Sequence, residues 1–406
     1  QLLRRAVAAL PDRADRSWRA MVECNHASNV GQLGRADEAR ETLGRWIAAA
    51  DVDHAVAVQC EMYLAQLAQT QGDAATALRH AEQADRRLAQ ARYVPPLLRA
   101  SLHGELGYGL ALNDRIAEAD QHYAQAVKLY REHGSGESPS VMAILNNWSV
   151  ASWRAGDVGR ALQALDEVIA INGHRGSGGD PPIYVLANRA RALLALGRLA
   201  EAEAQALQAE ALAARIGAPP IWRQRLLITR LNAVAEQRRF GEAAPLVDEI
   251  RRLTAQLQMG VDPHALPLAV SRLAHLQGDG PAALTALQPV LAAYPDPADP
   301  VNLRKGDATL ALALRRRAEL RLAAGDASAA LRDAEAALAI GQRLQAGRPH
   351  ALRTGQAWVL VARVRAALGE RDAARAAASQ GLAHLVAMRI EESDADLVEA
   401  RRIASE

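Results

Sequence analysis

The residues able to do chemistry in this 406-residue chain are scattered rather than gathered. Its eleven histidines show neither HExxH nor any other ligand spacing. No GxSxG elbow and no kinase signature occurs. Cys24 and Cys60 are the two cysteines, too few for a disulfide scaffold or a thiolate zinc cluster. They read as two buried free thiols, and a bridge would need their Cα atoms to lie close together. The glycines of GHRGSGGDPP, Gly173–Pro182, invite a phosphate-loop reading. No Lys-Ser/Thr follows them, however, and the segment before them reads as helix rather than strand. The aspartates of YPDPADP, Tyr294–Pro300, lack the number and spacing of calcium ligands. The sequence therefore predicts no catalytic centre, no metal and no cofactor. What remains is binding chemistry: arginine, asparagine and a few aromatic rings.

Composition narrows what could be bound. With 48 basic and 46 acidic residues the net charge is +2, so no general field draws nucleic acid or a membrane surface. Half the residues are hydrophobic, and aromatics are only 3%. An Ala/Leu-rich, aromatic-poor chain suits close-packed helices and argues against sheets. No apolar run is long enough to span a bilayer, and none reads as a signal peptide.

The elements that must position any binding residue are legible around Ser138–Ile171. This stretch reads as two amphipathic helices with a sharp turn between them. Ser138 is a cap, Pro139 sits at a first helical position, Gly156 ends the first helix and Asp157 caps the second. The turn recurs as Gly-(Asp/Arg)-x-x-x-Ala. It reads GRADEA at 34–39, GDAATA at 72–77, DRIAEA at 114–119, GDVGRA at 156–161 and GRLAEA at 197–202. RRFGEA at 238–243, GDGPAA at 278–283, GDASAA at 325–330 and GERDAA at 369–374 complete the series. Nine copies spaced about 40 residues apart predict stacked helical hairpins.

This pattern resembles the tetratricopeptide repeat (TPR). A small residue marks the middle of several first helices, at Gly107, Ala190 and Ala318. The alanine closing each turn is the small residue that opens the second helix. Seven positions later comes another small or aliphatic residue: Ala84, Ala126, Val168, Ala209, Ile250, Val290 and Ala337. Pro11 and Pro295 stand where the family ends a repeat. The spacing exceeds the usual 34 and resembles the kinesin-light-chain style of the repeat. HEAT and armadillo repeats have an overlapping period but lack this turn. The resemblance implies an all-α, right-handed α-solenoid spanning 1–406 as one domain. It would comprise a half-repeat helix over 1–12, nine hairpins over 13–388 and a capping helix over 389–406, with a bend near 294–305.

The resemblance also implies where partners sit, because first helices of this family line a concave groove. Position nine of the nine first helices reads Ser28, Gln66, Tyr108, Val150, Arg191, Asn232, Arg272, Glu319 and Arg363. Arg225, His275 and Arg315 occupy neighbouring groove positions. Together they imply a C-terminal half that grips an acidic or phosphorylated segment through forked guanidinium contacts. Asn146, Asn147 and Asn188 could bond the main chain of an extended peptide. Tyr63, Tyr108 and Trp153 offer apolar anchors of the type enriched at hot spots. Lysine occurs only at 128 and 305, so the family's Lys/Asn carboxylate clamp is missing.

The expected function is therefore non-enzymatic: binding a protein or peptide, or sensing a ligand, for a domain upstream of Gln1. The Ala/Arg/Leu-rich, Lys-poor repeats look like the C-terminal arrays of bacterial Hanks-type serine/threonine kinases. That likeness implies a periplasmic sensor held to the inner membrane through an upstream segment. The alternative is a cytoplasmic adaptor or transcription-regulator array that docks a partner protein.

Overall fold

The computed structural model describes residues 5, 15–91, 93–174, 179–257, 262–294, 307–345 and 347–406. Among them are nineteen α-helices and no strand, the all-α solenoid class that the sequence implies. The first helices of the nine hairpins are α1 (Arg16–Gln32), α3 (His54–Thr70), α5 (Pro96–Leu112), α7 (Pro139–Arg154), α9 (Ile183–Ala195), α11 (Pro220–Glu236), α13 (Ala265–Leu276), α15 (Ala308–Ala323) and α17 (Leu352–Ala367). Their second helices are α2 (Ala36–Ala48), α4 (Ala74–Leu88), α6 (Ile116–Glu132), α8 (Val158–His174), α10 (Leu199–Arg215), α12 (Phe240–Gln256), α14 (Gly280–Ala292), α16 (Ala327–Gln345) and α18 (Arg371–Ala387). A last helix, α19 (Ala395–Ser405), packs on α17 and α18. The expected bend at 294–305 and the half-repeat helix at 1–12 fall almost wholly outside the described residues.

All nine turns are built alike. The residue after the left-handed position donates its N–H five residues back, as Arg35 to Val30 (3.2 Å), Asp157 to Ser152 (2.9 Å) and Glu370 to Arg365 (2.9 Å) do. This bond satisfies a carbonyl that the ending helix would leave orphaned. Glycine takes the left-handed position in seven turns, while Asp114 (φ 60°) and Arg238 (φ 57°) take it in the other two. In eight of the nine turns the next residue then starts the second helix by one of two devices, while Glu370 in the ninth makes no side-chain cap. Asp73, Asp157, Asp279 and Asp326 accept from the N–H three residues on, at 2.9–3.0 Å. Arg115, Arg198 and Arg239 instead form forked pairs with Glu118, Glu201 and Glu242, and Arg35 pairs with Glu38. The Asp/Arg alternation of the turn is thus two solutions to one end-of-helix problem.

The alanine that closes each turn is buried in every copy, from Ala39 to Ala374. The aliphatic residue seven positions later is buried in all seven named hairpins, from Ala84 to Ala337. Gly107 shows how close the helices come: a Cβ there would lie 2.8 Å from the Tyr123 ring. The sparse aromatic content follows, since a larger side chain at these crossings would force the helices apart.

The chain divides into two compact units, Gln1–Trp148 and Ser149–Glu406. In the first, α1 and α3 place Cys24 and Cys60 with their Cα atoms 5.5 Å apart, joined as a disulfide. This corrects the expectation of two free thiols. Counted from their turns the two cysteines stand two residues out of register, Cys24 ten before Gly34 and Cys60 twelve before Gly72, and the packing of α1 on α3 brings them within bridging distance. In the second unit the chain returns on itself. Val158, Leu193 and Leu196 from hairpins four and five pack with Leu352, Leu385 and Leu397 from the ninth hairpin and α19.

Two substitutions at the same turn position should have opposite signs. Arg238→Gly relieves a left-handed residue with a side chain and should stabilise by up to about 1 kcal/mol. Gly325→Ala (φ 85°) should destabilise by about 1–2 kcal/mol. At the crossing itself, Ala202→Leu should cost about 1–3 kcal/mol through overpacking. Urea unfolding of the three variants checks all of these, and a neutral Ala202→Leu would contradict the packing described above.

Candidate functional site

In the first unit the expected groove residues form a polar ladder between repeats. The Tyr63 hydroxyl donates to Asn25 Oδ1 at 2.6 Å and accepts from Gln59 at 2.8 Å. Gln66 and Gln69 each donate an amide N–H to the Glu105 carboxylate, at 2.7 and 2.9 Å. Burial raises the Glu105 pKa, and the two amides offset part of that rise. Tyr63 and Gln66 line a shallow cleft with Ala27, Ser28, Gly31 and Thr70. Asn146 and Asn147 lie side by side on α7, 3.5 Å apart, and Tyr108 is half-buried on α5. The Glu105 ladder was missed in the sequence, because a glutamate among helical residues looks like any solvated charge.

In the second unit the arginines fall into two groups of opposite character. One is neutralised. Arg272 makes a forked pair with Glu236 at 2.5 and 2.7 Å and stands 3.7 Å from Glu319. Arg315 lies 3.3 Å from Glu319 and 3.6 Å from Asp396 of α19, and buried Arg316 also bonds Glu319. Burial alone would raise the Glu319 pKa, but Arg316, Arg315 and Arg272 together pull it down to about 2. His275 and Arg363 lie in the same electrostatic environment, and burial lowers the His275 pKa. The guanidinium groups of Arg272 and Arg315 are thus already committed to carboxylates of their own chain.

The other group carries charge with no such partner. Arg191 of α9 stacks on the Trp153 ring with its guanidinium carbon 4.5 Å from the centroid, and Arg353 of α17 stands 5.2 Å from the same centroid. Arg225 of α11 lies 5.0 Å over Trp222, whose ring is 6.4 Å from that of Tyr184. Indole faces attract guanidinium groups, which explains why these side chains gather at aromatic rings. Among the described residues, Arg191, Arg225 and Arg353 form no ion pair with a carboxylate. The Nε of Arg191 is sealed from solvent and meets no acceptor among the described residues. Burial, and then repulsion from Arg225, lowers the Arg191 pKa to about 10, with Asp262 opposing. Burial, and then repulsion from Arg191 and Arg154, lowers Arg353 to about 10 as well. Arg353 is held in place by donating to the carbonyls of Trp153 and Arg154 at 2.7 and 3.0 Å, the negative end of the α7 dipole.

The sequence placed Trp153, Arg191 and Arg225 in the groove but missed Arg353 and Trp222. Arg353 lies 200 residues from Trp153, and no local pattern signals that meeting. Asn188 is half-buried on α9, and Asn232 donates to the Ile228 carbonyl at 2.8 Å on its own helix. No group of three or more His, Cys, Asp or Glu side chains among the described residues could hold a metal.

No family model matches the sequence, and no curated protein matches it either. Solved structures do match. The apo quorum sensor NprR from B. thuringiensis aligns with a TM-score of 0.58 and 11% identity, over 84% of this chain and 91% of that one. Apo RapI gives 0.57 and 11%, over 85% and 91%. A Rap protein complexed with competence and sporulation factor gives 0.57 and 12%, over 84% and 90%. The kinesin-light-chain TPR-like repeats from Podospora anserina are 23% identical over 50% of this chain and 97% of that one, at a TM-score of 0.42. These likenesses show the fold alone.

The periplasmic, membrane-attached placement expected from the kinase resemblance is corrected here. None of the described helices is long and apolar enough to cross a membrane. The likeness to apo RapI is to a helical-repeat fold, not to a kinase sensor.

The neutralised group has a measurable acid signature. Because the folded Glu319 pKa lies near 2, below its ordinary 4.5, its stabilisation is complete above the ordinary value. It is lost as pH falls from about 4.5 towards 2. Glu319→Gln should destabilise by about 3–5 kcal/mol at neutral pH by leaving buried arginines unpaired, and should flatten that acid limb. Urea unfolding between pH 2 and 7 tests this; an unchanged acid limb in the variant would refute the assignment.

Proposed function

We propose that this chain is a non-enzymatic binding module whose second unit receives an acidic segment of a protein or peptide. The observation that carries this reading is the set of guanidinium groups on Trp153 and Trp222, charged, gathered and in no ion pair with a carboxylate among the described residues. A bare cluster of like charges costs stability, and an anionic partner reverses the sign of that interaction. Forked guanidinium donors match carboxylate and phosphate geometry, while the tryptophans supply flat apolar area beside them. Arg191, Arg225, Trp153 and Asn188 are the residues assigned to this contact, with Arg353 added by the structure. Arg272 and Arg315 support the walls rather than the ligand, since their charges are already met. Arg363 and His275 stand beside them and are assigned no direct contact.

A peptide or protein as the occupant is further supported by the neighbour solved with competence and sporulation factor and by the quorum sensor NprR. The resemblance to kinase-linked arrays supports a signalling use for what is bound.

Labelled peptides rich in Asp and Glu, with neutral scrambles as controls, provide the test by fluorescence anisotropy on the full chain. Acidic peptides should bind, more weakly as salt rises. Arg191→Glu with Arg225→Glu should weaken binding by about tenfold or more, the loss of at least one charge-assisted hydrogen bond, with the thermal midpoint checked separately. Binding that survives the double reversal unchanged would refute the site.

A further inference from the structure

The second unit is fastened by a seam between hairpins far apart in sequence. Leu352 N–H donates to the Gly156 carbonyl at 2.8 Å, and Glu391 N–H donates to the Leu196 carbonyl at 3.0 Å. Gly156 holds the left-handed turn of hairpin four, and Leu196 precedes the left-handed Gly197 of hairpin five. Arg348 adds a charge contact to Asp157 at 3.5 Å. The hydrogen bonds of Arg353 to the carbonyls of Trp153 and Arg154 belong to the same seam.

Arg353 therefore has two roles at once. Its Nη1 ties the ninth hairpin to the end of α7, and its charge stands with that of Arg191 at one indole ring. The two guanidinium groups come from opposite sides of the seam, one on α9 and one on α17. They repel each other across it, and the sealed Nε of Arg191 has no acceptor among the described residues. An oxyanion accepting from both would turn a repulsive contact across the seam into an attractive one.

We propose that Trp153, Arg191 and Arg353 form an oxyanion site, for a carboxylate or a phosphate group, whose occupant locks the ninth hairpin onto hairpins four and five. The inference builds on the binding role proposed above and adds its consequence: the ligand closes the unit. Ligand binding at these arginines thereby becomes legible in the docked start of α17 and in the segment that leads into α19. A ligand that binds only the docked state stabilises it in proportion to its occupancy.

Hydrogen exchange of the full chain at the Leu352 and Glu391 amides reads the seam directly. The probes are inorganic phosphate and acetate, against chloride at equal ionic strength. A probe at ten times its Kd should slow exchange at both amides roughly tenfold, and Arg191→Gln should abolish the slowing. Slowing by phosphate alone would assign a phosphoryl ligand, and slowing by acetate as well would assign a carboxylate. No slowing, equal slowing by chloride, or the same slowing in Arg191→Gln would overturn the proposal. Acidic peptides that bind without slowing these amides would overturn the lock and leave the binding role standing. Slowing by phosphate in a chain that binds no acidic peptide would do the reverse.

Discussion

Everything in this fold depends on one hydrogen bond made nine times: the N–H that reaches back five residues as each first helix ends. It forces one residue into the left-handed region and so fixes the angle at which the second helix leaves. With the angle fixed, the same position five residues on always meets the first helix, and only a small side chain fits there. The alanines are buried because the turn puts them there, and the helices approach closely because the alanines permit it. Where the turn residue is not glycine, at Asp114 and Arg238, the geometry is kept and the backbone bears the strain. The turn is a stronger constraint than the identity of the residue in it.

This division of labour frees the first helices to carry charge. The second unit uses that freedom in two ways that the physics separates cleanly. Arg272, Arg315 and Arg316 are offset by Glu236, Glu319 and Asp396, and such a network contributes order at little net gain in stability. Arg191 and Arg353 are offset by indole faces and carbonyl oxygens, which orient a guanidinium without neutralising it. Two groups of one residue type, in one unit, thus differ in what they leave unmet. Only the second leaves something for a partner to supply.

The sequence carries the turn, the alanine and the hairpin count in plain view, because each is a local pattern repeated nine times. It also carries half of the proposed site: Trp153, Arg191 and Arg225 stand at positions that the repeat resemblance assigns to a groove. Arg353 is invisible to such a reading, since its importance comes from a meeting between hairpins four, five and nine that no period encodes. The Cys24–Cys60 bridge was hidden for a related reason. Both residues lie on first helices, but which faces meet depends on the crossing angle. Likewise Gln66 was visible as a groove residue, whereas its bond to Glu105 required the neighbouring helix to be in place. Local periodicity gives the scaffold, and the contacts between distant turns give the site.

The chemistry open to the cluster follows from its protonation. A group whose pKa has fallen to about 10 is still protonated by about a thousandfold at pH 7, so neither Arg191 nor Arg353 can serve as a general base. Nor is either a useful proton donor at that pH, because its pKa lies far above the range where acid catalysis is efficient. Among the described residues no histidine, cysteine or carboxylate makes a hydrogen bond to them that would supply a second role. What a fixed, permanently charged fork can do is hold an anion and set its orientation. Because one fork belongs to hairpin five and the other to hairpin nine, an anion held by both, as proposed, would also hold the two hairpins together. In the proposed site recognition and closure are one electrostatic event, carried by side chains that form no ion pair with a carboxylate among the described residues.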